Sequence, residues 1–314
     1  MVCIIKDTGN RSLLDERLHS TMPPPMTPPI PPKLGLAIAV IALSFPAIFI
    51  RLAQADGLSI AFLRLTFASL ILWPVTARKV IPAWRALDNS ERWRVIAAGF
   101  FLGMHMFLWV TSVTKTTIAS AAFLILTQPI IVAVLAHFIL AERINRWVLY
   151  AIILTLFGTI LMGGGDLELG SAYLWGDFLA LMGAVFAAFY LLAGRSVRRK
   201  IDLLPYITLL YSISAAALLP LCLMLKAPIL SLTPNAYFWC IMLALIPTLI
   251  GHSLFNWALR YLRAFTVNIS IIVEPIGASL MAWLIFREYP STLLYPGAAL
   301  LMIALFLAFR GEEG

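Results

Sequence analysis

The chain has 314 residues, 61% of them hydrophobic and 12% charged, with a mean hydropathy of +0.94 and a formal charge of +8. A soluble domain carries roughly 25% charged residues, so the composition excludes an ordinary soluble enzyme or binding module and points to a polytopic membrane protein. The positive charge does not indicate a nucleic-acid partner: the basic residues fall between apolar runs and form neither an aromatic-interleaved patch nor a zinc-type spacing.

In chain order, residues 1–33 lack the apolar core of a cleavable signal and contain PPPMTPPIPP, Pro23 to Pro32. They are expected to form a disordered, polyproline-II-like cytoplasmic tail, with Met22 and Met26 as alternative starts. Ten apolar runs follow, at 34–53, 60–78, 94–112, 117–140, 146–163, 174–194, 205–225, 236–258, 265–286 and 292–309. A spanning helix needs about 20 mainly apolar residues, so each run is an expected span. With the N-terminus placed inside, 18 of the 23 Lys and Arg fall in inner links or the tails. Three, Lys115, Lys226 and Arg287, fall in outer links. Cytoplasmic loops retain Lys and Arg, so both termini are expected in the cytoplasm. Cys3, Cys222 and Cys240 fit no metal or redox spacing and are read as unpaired apolar filler.

Two stretches repeat one pattern. In the first half His105, Gln128-Pro129 and Glu142 follow in order; in the second, His252, Glu274-Pro275 and Glu288 do. The proline-to-glutamate spacing is 13 in both, and the offset between halves is 146 or 147. The chain therefore reads as an all-α membrane protein of ten transmembrane helices in two five-helix units, 34–165 and 172–310, joined near GGGDLELG, Gly163 to Gly170. Five is odd, so the halves enter the membrane in opposite directions, and such inverted repeats characterise secondary transporters.

The segments FPAIFIRLA, IAFLRLTFASLIL, QPIIVAVLAHFILAERI, FAAFYLLAGR and EPIGASLMAWLIFREYP resemble those of the EamA-type drug/metabolite transporters, over about residues 34–310. The resemblance implies an inner (plasma) membrane carrier, often one that exports amino acids or related metabolites. It also implies a central cavity lined mainly by spans 1, 3, 4, 6, 8 and 9. The first half departs from a symmetrical acid pair, carrying Gln128 where the second has Glu274.

Ionisable side chains inside spans are costly and are functional candidates by default. They are Arg51, Arg64, His105, His137, His252 and Glu274, joined by the mid-span amides Gln128 and Asn256. Glu274 lies ten residues into a 22-residue span and is a candidate proton site or counter-charge to a substrate amine. Pro129 and Pro275 each free a backbone carbonyl about one turn earlier, which must line a cavity or find a new partner. His105 and Trp109 are four apart and share a helical face, as do His252 and Asn256. Trp257 and Tyr190 are candidate aromatic walls. Arg51 and Arg64 read either as interface anchors or, for Arg64, as a partner for a substrate carboxylate. Trp73, Trp84, Trp93 and Trp147 read as an interfacial belt, and Glu142 and Glu288 as anchors pairing locally with Arg143 and Arg287.

The expected function is secondary transport of small polar metabolites, read as export of amino acids or amine-containing compounds by alternating access. The expected substrate-binding set is Glu274, Gln128, His105, Trp109, His252, Asn256, Trp257, Tyr190 and Arg64. A carrier of phosphate-bearing substrates, of the nucleotide-sugar type, is the alternative. An intramembrane enzyme or a channel comes after that, since no HExxH, Ser-His-Asp or paired-aspartate signature stands out. No nucleotide or other cofactor and no metal are expected. The expected partners are the lipid bilayer, a small-molecule substrate and, as a coupling ion, the proton, with the chain acting as a monomer or weak homodimer.

Overall fold

A computed structural model describes residues 30–140, 144–195, 197, 200–258, 261–262, 267 and 270–312. Among the described residues the regular structure is entirely helical. The helices are α1 (Pro32–Leu43), α2 (Pro46–Ala53), α3 (Gly57–Ala86), α4 (Asn89–Val113), α5 (Ile118–Leu124) and α6 (Gln128–Leu140). They continue with α7 (Arg146–Leu169), α8 (Ser171–Arg195), α9 (Leu203–Met224), α10 (Pro234–Leu243), α11 (His252–Ala258), α12 (Val273–Phe286) and α13 (Leu294–Glu312).

Helix starts carry side-chain caps, which matter where a chain leaves water for lipid. Asp56 accepts from the Ser59 N–H, Thr117 from Ser120, Asn145 from Trp147 and Val148, and Thr233 from Ala236. Asp88 and Glu91 form a reciprocal capping box at the start of α4. Eight of the continuous segments are long and apolar enough to cross a membrane. They match the first eight expected spans. Val273–Phe286 and Leu294–Arg310 are shorter apolar helices at the ninth and tenth. Much of the N-terminal part of the ninth span (265–266 and 268–269) lies outside the described residues.

Three of these segments change helix type at a proline, for one physical reason. A proline at position i cannot donate to the carbonyl at i−4. Pro129 frees the Ile125 carbonyl, which the Gln128 N–H takes by closing a 3-10 turn over Ile125–Thr127. Pro275 frees the Ile271 carbonyl, which the Glu274 N–H takes at 3.1 Å. Pro247 frees the Leu243 carbonyl, which the Thr248 hydroxyl takes at 2.7 Å inside a π-helical stretch, Ala244–Gly251. The freed groups gain partners within one turn, so the breaks need no water.

The packing has a simple order. Helix α4 runs along α8, and α1–α2 runs along the Pro234–Ala258 segment. Helix α3 pairs with α9, α7 with α13, and α5 with α12. Exchanging each span of the first half with its counterpart in the second maps the first of these pairs onto the second and each of the others onto itself. Glycines allow the closest crossings. A Cβ on Gly158 would lie 2.8 Å from the Gly297 carbonyl oxygen, and a Cβ on Gly297 2.8 Å from that of Gly158, where α7 meets α13. Outward, α7 exposes Leu149, Tyr150, Ile153, Leu156, Phe157 and Ile160 at helical spacing, an apolar stripe suited to lipid.

The links 54–56, 114–117, 225–233 and 287–293 lie at the end of the bundle opposite Pro32 and Arg310; we call it the distal face. At the other, proximal face, Lys200 pairs with Glu91 and Arg92 bonds the Trp84 and Arg85 carbonyls.

Candidate functional site

The site forms around Arg64 on α3. Its side chain is only 1% exposed, so it does not act as an interface anchor. Its Nε donates to the Thr248 hydroxyl at 2.7 Å, inside the π-helical turn. Thr248 can accept from Arg64 because its own proton goes to the Leu243 carbonyl that Pro247 releases. The backbone irregularity and the arginine anchor are one feature. Arg64 Nη1 is buried with no hydrogen-bond partner among the described residues.

Around Arg64, within electrostatic reach, lie Tyr211 on α9, Glu274 on α12, His105 on α4 and His252 on α11. His105 and His252 also sense each other, and Tyr190 on α8 sits near Tyr211. Glu274 is half-buried, in the first turn of α12 directly before the Pro275 break. Elements from both halves thus converge on one guanidinium and one carboxylate.

His105 is buried, and its Nδ1 lies 2.9 Å from the Gly183 carbonyl. This contact fixes the ring, with Nδ1–H as the donor in the neutral tautomer. Trp109 stacks beside it, ring centroids 6.5 Å apart at 17°. Gly183 lets α8 approach this closely: a Cβ there would stand 3.3 Å from the Trp109 backbone nitrogen and Cβ. The indole Nε1 of Trp109 is buried and, among the described residues, unpartnered. Among the described residues the site therefore presents two unsatisfied buried donors, Arg64 Nη1 and Trp109 Nε1. Native structures seldom leave such donors unused, and each asks for an acceptor.

Other expected site residues fall elsewhere. Trp257 packs on α1, since a Cβ on Gly35 would lie 2.4 Å from its ring, and it meets Tyr261 at 4.9 Å. Gln128 is half-buried at the 3-10 turn, the counterpart of Glu274 in its own half. His137 is exposed near the end of α6. The side chain of Asn256 lies outside the described residues, as do Glu142 and Arg143. Trp73, read as interfacial, donates to the Ser212 hydroxyl at 3.0 Å. The residues that sequence reasoning missed are Thr248 and Tyr211. Pro247-Thr248, in the middle of an apolar run, was the available signal for the first.

Arg51 and Glu288 meet on the distal face instead of pairing with lipid or a sequence neighbour. Arg51 Nε donates to the Val113 carbonyl and Nη2 to that of Thr116, each at 2.5 Å, and Nη2 lies 3.4 Å from Glu288. Glu288 also accepts from the Ile118 N–H at 2.5 Å, at the start of α5. Arg287 adopts a left-handed conformation, φ 55°, closing α12 so that the Glu288 N–H reaches the Ala282 carbonyl. Burial pushes the Glu288 carboxyl above the usual carboxylate range, against the pull of Arg51. Together they tie α2, the α4–α5 link and the link after α12.

The EamA-like transporter family model matches the chain twice, over residues 33–164 and 174–310. An uncharacterized transporter of Archaeoglobus fulgidus is 25% identical over 280 residues, 88% of this chain and 96% of the relative. The uncharacterized transporter YxxF of Bacillus subtilis is 23% identical over 251 residues, 77% of this chain and 78% of its own length. One solved structure, titled only as a crystal structure of a protein, superposes with a TM-score of 0.60 at 18% identity. That match covers 88% of this chain and 96% of the other, a likeness of fold.

Proposed function

We propose, from the premise that this chain belongs to the EamA-like transporter family, that it is a secondary transporter of amino acids or related small amines. The observation that carries the reading is the pairing of unused buried donors with a carboxylate. Arg64 Nη1 and Trp109 Nε1 suit a substrate carboxylate, and Glu274, within electrostatic reach of Arg64, suits its ammonium. A phosphate-bearing substrate would set its negative charge against Glu274, and this argues for the zwitterion.

The packing exchange between halves and the two-fold family match support ten spans in two inverted five-helix units. On that arrangement the halves rock about the Arg64–Glu274 level, opening it first to one face and then to the other. The charge distribution of the links supports a topology with both termini cytoplasmic; the inner-membrane location and export follow from the family resemblance. The test is counterflow in reconstituted vesicles over a panel of amino acids and amines, repeated across pH. Saturable exchange of at least one zwitterion or amine is expected. Conduction without saturation, or chemical turnover of the compound, would replace this reading with a channel or an enzyme.

A further inference from the structure

A second polar cluster lies near the distal face, away from Arg64. Asp166, near the end of α7, and Asp177, near the start of α8, are 0% and 5% exposed. Their carboxyl groups converge on one side chain, Thr116. The Thr116 hydroxyl stands between them, 2.7 Å from Asp177 Oδ1 and 3.4 Å from Asp166 Oδ2. A hydroxyl has one proton, so it serves one of the two well, here Asp177. The Ser120 and Ser291 hydroxyls reach toward Asp166 from α5 and from the link before α13. Asp166 Oδ1, Asp177 Oδ2 and the 7%-exposed Ser291 Oγ complete no hydrogen bond among the described residues.

Ionised carboxylates only accept hydrogen bonds. Two of them gathered on one hydroxyl, out of water, need a proton or a cation to offset their repulsion. The charged groups packed around the cluster do not supply the cation. Glu288, which senses Asp166, is itself an acid, and Arg51 is committed to Glu288 and to two carbonyls. Lys115, next to Thr116, and Glu168, on α7, are exposed. We propose that Asp166 and Asp177 share one proton, forming a proton-binding site that seals the distal face and releases its proton when that face opens. The bound state carries one negative charge over two carboxyl groups. Water entering between the α7–α8 hairpin and the 114–120 segment would solvate both carboxylates and take the proton away. The release step rests on the alternating-access reading above; the shared proton does not.

The test has two arms on the full chain in lipid nanodiscs. Infrared spectra at neutral pH should show a protonated-carboxyl stretch that D177N or D166N removes and E274Q leaves in place. T116V keeps both acids and should shift that stretch without abolishing it, which guards against a misfolded Asp variant. The second arm follows hydrogen exchange of residues 114–120, corrected for intrinsic rates. In the wild type, exchange should rise by about tenfold per pH unit through the pair's titration. In D177N the amide N–H replaces the shared proton, and the pH dependence should vanish. A carboxyl stretch unchanged in both Asp variants overturns the proposal. So does exchange that responds to sodium or calcium and not to pH, which would make this a metal-ion site. Loss of counterflow with the stretch intact would sink the transport reading and leave the proton site standing.

Discussion

A guanidinium that is 1% exposed, anchored through Nε and, among the described residues, unpartnered at Nη1 suits, on the proposed transport function, an acceptor that arrives and departs. Lysine offers no such division of labour, because its single ammonium cannot hold Thr248 in a fixed fork and present a second planar edge. Arg64→Lys should therefore fold and fail in counterflow. Glu274→Gln preserves shape and removes charge. Losing one partner of a buried charge contact costs about 2 kcal/mol or more, so zwitterion affinity should fall roughly 30-fold in a competition assay. Near-normal affinity at every pH would remove Glu274 from the counter-charge role. Thr248→Val leaves both the Leu243 carbonyl and Arg64 Nε without their partner. Each orphaned group costs about 1–3 kcal/mol, and the expected result is a clear drop in the thermal midpoint in detergent. Of this neighbourhood, Glu274, Arg64 and the two histidines were legible in the sequence, since an ionisable residue in an apolar run stands out. Thr248 and Tyr211 were not, because a threonine or tyrosine in a helix is ordinary until a neighbour is known.

At the scale of the element, proline position decides where helices break, and glycine position decides where they touch. Pro129, Pro247 and Pro275 each convert about one turn to a non-α pattern, and polar site residues cluster at two of these breaks, Thr248 and Glu274. The prolines and their matched spacing were visible in the sequence. The identity of the partner that takes each freed carbonyl was not, because it depends on whether the chain tightens or widens its turn. The α7–α13 crossing depends on Gly158 and Gly297, whose absent Cβ atoms would each fall 2.8 Å from the facing carbonyl oxygen. Gly158→Leu should push these helices apart, at about 1–3 kcal/mol for an overpacked contact. The check is a lowered unfolding midpoint alongside an unchanged Gly164→Leu control, since the nearest atom to a Cβ on Gly164 is 4.0 Å away.

For the whole molecule, the apolar exterior and the asymmetric links suggest one orientation. Lys226 and Lys79 are both exposed, on the distal and proximal faces. With cytoplasmic termini, an impermeant thiol reagent applied to intact cells should label Lys226→Cys and spare Lys79→Cys. The opposite labelling would invert the topology. The distal face carries the Arg51–Glu288 tie and the Asp166–Asp177 pair, whereas the proximal face is rich in cations. On the proton-site proposal, protons exchange at the distal end, while the basic links set orientation at the proximal one.

The sequence by itself determined that the chain is helical, apolar enough for a bilayer, punctuated by matched prolines and a member of its family. Those properties are local or periodic, and lipid punishes any unsatisfied backbone group, so composition and spacing suffice to reveal them. The tertiary structure decided which polar groups meet. Arg64 and Thr248 are 184 residues apart, Arg51 lies on α2 and Glu288 in the link after α12, and Asp166 and Asp177 meet at Thr116 only because a helical hairpin folds at Gly170. Such meetings depend on how helices cross, and crossing depends on glycine gaps and side-chain volumes distributed over the whole bundle, which no single stretch of sequence contains.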